Sequence, residues 1–431
     1  MYKIICIVVM YFAGIDICSA QGLKTWIDRE TGRQVVRVAS QPYATLPYFT
    51  ANIISRDGSA AVYVSAQGLH LLDLKNFKTE LLVPAHGVEL QCIEMGRRTD
   101  RLFFVSKQRT EQHMSLLSID LVTRKVSNHA RLPQGYRIAT INADETLAAG
   151  VREESVTVQG LPSAPYTPNA APATKGELLY SRVNAAIPMA LVVIDLGNGA
   201  VRDIHRSTAW LSHPQFSPID SQLLMYAHEG PWHQVDRIWT IRADGSERQL
   251  IHRRSMDMEI VGHEFWSSDG ASIHYDWQRP KGQAFYLASY NLATQQRSAV
   301  PLTREQWSIH FNPAVDPLVF VGDGADVEQV ARSDQSAAIW LYRVHGNDDV
   351  NKTSISAEKL VDLRGHDYSL EPNARLTPDR RWVLFRSNIF GSPGVFAVRI
   401  SGAVESDIPV RSTFDLARQA QAERRSILMK K

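Results

Sequence analysis

One short pattern recurs along the chain and limits what it can fold into: an apolar strand, a tight polar turn that often contains Asp, and a second apolar strand. Its seven copies run from Thr50 to Val64, Glu94 to Val105, Ala139 to Val151, His213 to Tyr226, His263 to Tyr275, His310 to Val321 and Asn373 to Phe385. Most are followed by a third apolar stretch, as in Leu69–Leu74, Leu116–Leu121, Ala190–Leu196, Ile238–Ile241 and Val395–Ile400. Three or four short strands per unit, at a period of roughly 45 residues with insertions, are the mark of propeller blades rather than of a solenoid or a sandwich. The predicted fold is therefore all-β, a seven-bladed β-propeller. The last copy ends near Ile400 with only three strands. Gln34–Ala39, after the turn at 30–33, is predicted to add the missing outer strand and so remove the open edges that a ring cannot leave unpaired. Pro-, Gly- and polar-rich stretches around 155–180 and 324–358 read as inserted loops. The chain divides into residues 1–20, a propeller over 21–405, and a helical or frayed tail over 406–431.

Residues 1–20 read as a secretory signal. Lys3 precedes an apolar run from Ile4 to Ala13, and Cys18-Ser19-Ala20 offers small residues for cleavage before Gln21. The expectation is an exported, periplasmic protein. Only Cys92 lies beyond that segment, so the mature chain has no intrachain disulfide to form. With 47 Lys+Arg against 45 Asp+Glu, the formal charge of +2 excludes a strongly basic nucleic-acid binder. No later run approaches the ~20 apolar residues of a membrane span. The sequence leaves the oligomeric state open.

Aligning the copies on their turn Ser, Thr or Ala exposes a shared position. Four residues before Ser217, Ser267, Ala314 and Thr377 stand His213, His263, His310 and Asn373. The first strand of a blade is innermost, so these four residues are expected to line one mouth of the central channel, with Glu371 on the same side by the strand period of two. The first three blades carry Ala51 and other non-ligand residues there, so the polar half-ring is not a property of the repeat. Imidazole with carboxylate and amide oxygens suits a divalent transition metal at His310, Glu371 and Asn373; plain hydrogen bonding at a polar mouth is the alternative.

A second cluster spans His228-Glu-Gly-Pro-Trp-His233-Gln-Val-Asp-Arg237, on the loop between two strands of the fourth blade. Arg237, just before the apolar strand at Ile238, is placed to aim a guanidinium at an anion, or to form a structural Arg–Asp pair. No Gly-x-Ser-x-Gly elbow, phosphate-binding glycine loop, His-Glu-x-x-His or Cys-x-x-Cys occurs. A glycoside hydrolase would need a second carboxylate across from Glu371, and only Asp323, Glu229 or Glu264 could supply it.

The run His213-Pro…Tyr226-Ala-His228-Glu-Gly-Pro…Asp236-Arg237-Ile-Trp239…His263-Glu-Phe-Trp266…Asp269-Gly resembles the oligogalacturonate lyases, and Val321-Gly-Asp-Gly324 resembles a further family stretch. The resemblance covers about residues 25–400. It implies a seven-bladed propeller that cleaves short pectic oligouronides by β-elimination. His263 would be the base, Arg237 the charge-stabilising group and His310 a metal ligand. His213, His228 and His233 would position an anionic oligouronide. Where the family carries Gln-x-x-His-Pro-His, this chain has Tyr368-Ser-Leu-Glu371-Pro-Asn373, so the implied metal set is His310, Glu371, Asn373 and Tyr368. Those harder donors favour Mn, Ca or Mg over softer ions. Export departs from the family's usual cytoplasmic setting.

The implied chemistry suits the residues. Elimination across C4–C5 of a uronate removes the poorly acidic proton beside the carboxylate, and a cation on that carboxylate stabilises the enolate-like charge. A histidine, ordinarily titrating near 6.5, can take that proton at neutral pH. The competing reading is a non-catalytic exported propeller that binds glycans or protein partners, as Tol-type propellers do.

Overall fold

The computed structural model describes residues 25–154, 175–346, 353–401 and 408–429. The signal reading lies outside the described residues, as does most of the first insertion.

Seven antiparallel sheets form in chain order, and each is one blade. Blade one holds Ala60–Ser65, Gly68–Asp73 and Thr79–Pro84, with an isolated bridge between Ile54 and Ala61 on its inner edge. Blades two to six each have four strands. In blade five, for example, Ile260–Trp266, Ser272–Gln278, Phe285–Asn291 and Arg297–Leu302 pair in sequence. First strands of blades two and three, three and four, and six and seven contact one another, as strands lining a channel do.

Blade seven closes the ring. Arg375–Leu376, Trp382–Ser387 and Gly394–Arg399 are joined by Gln34–Ala39, with Val35 opposite Val398 and Val36 opposite Ala397. The N-terminal strand thus pairs where the repeat count required. Two further strands extend this sheet: Thr25–Asp28, and beyond it Val410–Arg411, which pairs with it in parallel. The C-terminal helix, Thr413–Met429, is anchored to this edge through its first residue. The Trp26 indole donates to Thr413 Oγ1 at 2.9 Å, and that hydroxyl donates in turn to the buried Asp28 carboxylate.

One sequence expectation needs correcting. The stretch 324–358 is not simply an inserted loop, because Ala338–His345 and the start of Ser354–Asp362 lie within it as the outer strands of blade six. Among the described residues, Ala338–His345 and Ser354–Asp362 pair in the ladder like the strands of any other blade, and the approach around 324–337 is irregular. In the first insertion, Lys175–Asn184 forms a helix.

The repeated turn has a repeated chemistry. Ser55, Ser267 and Thr377 donate to Asp57, Asp269 and Asp379 at 2.6–2.7 Å. The same hydroxyls accept the backbone N–H five residues on, at Ala60, Ser272 and Trp382. Each turn is thereby an Asx-type clamp that fixes the start of the second strand. Between blades, apolar side chains of facing sheets interlock. Phe103, Leu116 and Leu132 of blade two meet Ile138, Ala148 and Ile194 of blade three, and the remaining interfaces repeat the arrangement round the ring.

Thr413→Val removes the acceptor of a buried indole and a donor to a buried carboxylate. It is expected to lower stability by about 1–3 kcal/mol in denaturant unfolding. An unchanged midpoint would show that the tail does not hold the closing sheet.

Candidate active site

The half-ring forms, and a backbone irregularity builds it. His213, His263 and Asn373 all adopt left-handed conformations, with φ of 49°, 48° and 50°. In blades four and five these residues sit in β-bulges, where the pairing slips between Ser212 and Gln215 and between Gly262 and Phe265. A bulge adds one residue, breaks the two-residue alternation and re-aims a side chain. For a histidine the left-handed region is sparsely populated, and such outliers concentrate at functional sites. Asn tolerates it more readily. Glu371 and Asn373 stand in irregular chain just before their strand, so it is the approach loop rather than strand periodicity that places the carboxylate.

The imidazoles of blades five and six meet edge to face, with centroids 4.8 Å apart. Each is oriented by its own buried carboxylate. His263 Nδ1–H donates to Asp276 at 2.9 Å, and His310 Nδ1–H donates to Asp323 at 2.7 Å. A carboxylate on Nδ1 fixes the tautomer and leaves the lone pair on Nε2. Asp323 also accepts the backbone N–H of His310 at 2.8 Å and of Asn373 at 3.1 Å, tying blades six and seven together. His310 Nε2 is buried, has no hydrogen-bond partner among the described residues, and lies 3.8 Å from Glu371 Oε2.

Arg237 is not aimed at solvent or at an Asp. Its guanidinium is 2% exposed and lies between two buried carboxylates, with Nη1 2.8 Å from Glu229 and Nε 2.8 Å from Glu264. Trp232 lies over it at 4.9 Å and donates its indole N–H to Glu229 at 2.7 Å. Burial alone would raise the Glu229 carboxyl, but Arg237 and the adjacent His213, 3.4 Å away, hold it well below the usual carboxylate range. Removing the guanidinium would strand two buried charges, a loss of about 3–5 kcal/mol in comparable sites. The free guanidinium expected from the spacing is thus replaced by a closed Arg–Glu cluster behind His213 and His263.

The remaining expected residues divide. His213 belongs to the ring. His228 does not: it lies within the strand Leu223–Glu229, its ring packs on Tyr226 and Trp239, and its Nε2 is buried without a partner among the described residues. His233 sits on the loop after Gly230, 3.2 Å from the Tyr180 hydroxyl of the inserted helix. Tyr368 is buried and donates to the Asp323 carbonyl oxygen at 3.0 Å, while Asn373 Oδ1 accepts the Phe49 N–H at 3.2 Å. Both side chains are committed to backbone. Among the described residues, no three His, Cys, Asp or Glu side chains are grouped as a metal would need.

Two pairs of contributors escaped the sequence reading, which named Asp323 only as a possible hydrolase carboxylate. Asp276 and Asp323 both fall thirteen residues after their histidines, Asp276 opposite the bulge on the second strand and Asp323 just past the second strand of its blade, and the same offset from Asn373 reaches Arg386. Such a paired offset was open to detection. Tyr48 and Phe49 were not, because they come from irregular chain before blade one. Phe49 packs on His310 at 4.3 Å and floors the mouth. Tyr48 stands over it, 5.6 Å from the His213 ring and 5.3 Å from that of His310. Burial and the nearby Glu371 and Glu264 charges hold the phenol well above its ordinary titration range.

The closed ring and the oriented imidazoles at one mouth define a propeller enzyme, and comparison with known proteins narrows the class. A family model for oligogalacturonate lyase matches residues 17–404. The chain belongs to the oligogalacturonate lyase family and is a lyase. The oligogalacturonate lyase of Dickeya dadantii (strain 3937) is 24% identical over 399 residues, covering 88% of this chain and 96% of its own length. The oligogalacturonide lyase of Pectobacterium atrosepticum is 24% identical over 403 residues, with the same coverage. A solved oligogalacturonate lyase in complex with manganese matches with a TM-score of 0.70 at 22% identity, over 88% of this chain and 96% of the other. One from Vibrio parahaemolyticus gives 0.68 at 21% identity, over 88% and 97%. These structures share the propeller fold.

Burial lowers His228, His274 and His366 to about 4 each, against an ordinary value of 6.5. Below 6.5 the unfolded chain binds protons that these folded sites refuse, so unfolding is favoured as the pH drops. Stability is expected to be full above pH 6.5 and to fall steadily towards pH 4. A thermal midpoint that stays flat over that window would contradict the burial of these rings.

Proposed function

We propose that the protein cleaves short uronide oligosaccharides, oligogalacturonate or a related pectic oligomer, by metal-assisted β-elimination, leaving a 4,5-unsaturated uronate end. The observation that carries this reading is the His263–Asp276 pair in a family of lyases. A buried carboxylate holds Nδ1–H, so Nε2 has its lone pair directed away from Asp276 and is the atom to take the C5 proton. Trp232 packs edge-on against His263 at 5.0 Å and limits its rotation.

The donor set fits a divalent ion in part. His310 Nε2 is a buried nitrogen with its lone pair unused, oriented by Asp323 as metal-binding imidazoles are. Glu371 is the nearest carboxylate. These two residues would hold the ion, with the Asn373 amide oxygen able to contribute its second lone pair. The related lyase solved with manganese supports Mn, and the oxygen donors leave Ca or Mg as alternatives. When bound, such an ion would neutralise the uronate carboxylate and stabilise the enolate-like charge.

The other residues then take supporting parts. Arg237, closed in by Glu229 and Glu264, fixes the wall that carries His213 and His263 instead of gripping the substrate carboxylate itself. His213 is exposed enough at the mouth to contact a sugar hydroxyl. His233, on the loop beside Tyr180, is placed to meet the far end of an oligomer. We assign the reaction to the periplasm, on the reading of residues 1–20 as a signal.

Purified protein incubated with digalacturonate and trigalacturonate, with and without chelator, is expected to show a chelator-sensitive rise in ultraviolet absorbance from the conjugated C4=C5 bond. His263→Ala should abolish the rise. Asp276→Asn should lower kcat by about 10²–10⁴-fold with little change in KM, as loss of correctly oriented base catalysis does. No rise with Mn, Ca or Mg added would exclude these substrates, and full turnover by His263→Ala would exclude the assigned base.

A further inference from the structure

Elimination needs a second proton transfer that neither His263 nor a metal at His310 performs. The base removes the proton at C5, but the glycosidic oxygen leaving C4 departs as an alkoxide unless something protonates it. Asp276 and Asp323 are committed to imidazoles, and Glu229 and Glu264 to Arg237. Glu371 stands beside the lone-pair nitrogen of His310.

Tyr48 remains. Its ring touches imidazoles of blades four and six, skipping blade five between them. A side chain that reaches both flanking blades bridges across the blade that carries His263. Tyr48 is only partly buried, and no hydrogen bond ties its phenol oxygen to the described residues. Its backbone is held firmly for a loop residue. Arg375 donates to the carbonyl oxygens of Tyr48 and Ala51, and Arg386 donates to the Thr45 hydroxyl at 2.9 Å and the Leu46 carbonyl at 3.0 Å. Two arginines of the last blade thus fix the segment that carries Tyr48 over the channel. Phe49 beneath it closes the floor. An accessible hydroxyl that the protein does not use, on so well-anchored a segment, is available to donate to a ligand.

We infer that Tyr48 is the proton donor to the leaving oxygen, acting from the face of the sugar opposite His263. This rests on the lyase function proposed for the same site. In a galacturonate the C5 hydrogen and the C4 oxygen are both axial and point to opposite faces of the ring, so base and donor must flank it. His263 Nε2 takes the C5 proton, and the C5–H electron pair becomes the C4=C5 bond. The C4–O bond breaks with its pair on oxygen, and that oxygen takes the Tyr48 proton. The imidazolium loses its proton to solvent and the phenolate regains one, so nothing is consumed beyond the oligomer.

The test is Tyr48→Phe, which keeps the ring contacts and removes only a hydroxyl that the protein does not use. Assays with manganese present would compare trigalacturonate with a 4-deoxy-4-fluoro-galacturonide, whose fluoride leaves without a proton. The expected result is a fall in kcat of about 10²–10⁴-fold on trigalacturonate, a KM within a few-fold, and near-parental turnover of the fluoride. Full activity on trigalacturonate would overturn the assignment. So would an equal loss on both substrates, which would make Tyr48 a binding or packing residue. If the parent protein eliminates neither substrate, the lyase reading falls and this assignment falls with it. A parent active on trigalacturonate keeps the two failures apart.

Discussion

Everything at the channel mouth depends on one strand pairing, that of Gln34–Ala39 with Gly394–Arg399. A propeller ring is a closed stack of sheets in which each blade buries apolar surface only against its two neighbours. If the last blade lacked its outer strand, its interface with the first would lose its backing. Here the pairing comes from the far end of the chain, so the ring is latched over more than 350 residues of sequence. The latch also sets the path of the next segment. Immediately after Ala39 the chain turns inward, and this stretch delivers Tyr48 and Phe49 to the axis. Closure of the fold and completion of the site are therefore the same event.

The second constraint is local. A regular inner strand would send alternate side chains into the channel and into the blade, and a repeat so built gives the same polarity in every blade. The bulges at His213 and His263 break that rule in adjacent blades, and the left-handed turn at Asn373 breaks it again. Each costs backbone strain that only a rigid surrounding sheet can hold. The carboxylate opposite the His263 bulge offsets part of it, since Asp276 holds the re-aimed imidazole by a strong hydrogen bond.

The architecture was legible because it is written seven times. Blade number, closure and the shared His/Asn position are all apparent on superimposing the chain on itself. Most of the failures share one physical cause, which is that they involve groups outside the repeat or pairings between blades; His228, packed within its own blade, is the exception. Tyr48 lies in irregular chain whose course only the closed ring determines. His228 matches a motif in sequence, yet strand alternation turns it away from the axis, onto Tyr226 and Trp239. The environment of Arg237 was hidden for a related reason. Glu264 is adjacent to His263 in sequence, and only the blade-to-blade packing shows that it turns back to pair with a guanidinium of the preceding blade. Spacing reports which residues share a register; it does not report which charges find each other across an interface.

The charge balance that results bears on how an anion can enter. Around the mouth stand Glu229, Glu264, Asp276, Asp323 and Glu371, against the guanidiniums of Arg237 and Arg386. With neutral imidazoles this wall is negative, and a uronate carboxylate brought to it is repelled. Two things can reverse that sign: protonated histidines or a bound cation. Protonation is a poor answer on the proposed reading, because it would occupy the lone pair on His263 assigned to the C5 proton. A divalent ion at His310 and Glu371 answers without that loss, since it adds positive charge where two donors already converge and leaves the neighbouring imidazole neutral. The replacement of imidazoles by Glu and Asn in the last blade then has a direct electrostatic consequence. On the proposed reading an anionic ligand would lower the net charge of a bound ion, so the site would grip the metal harder and the substrate carboxylate less, leaving discrimination to the sugar contact proposed for His213.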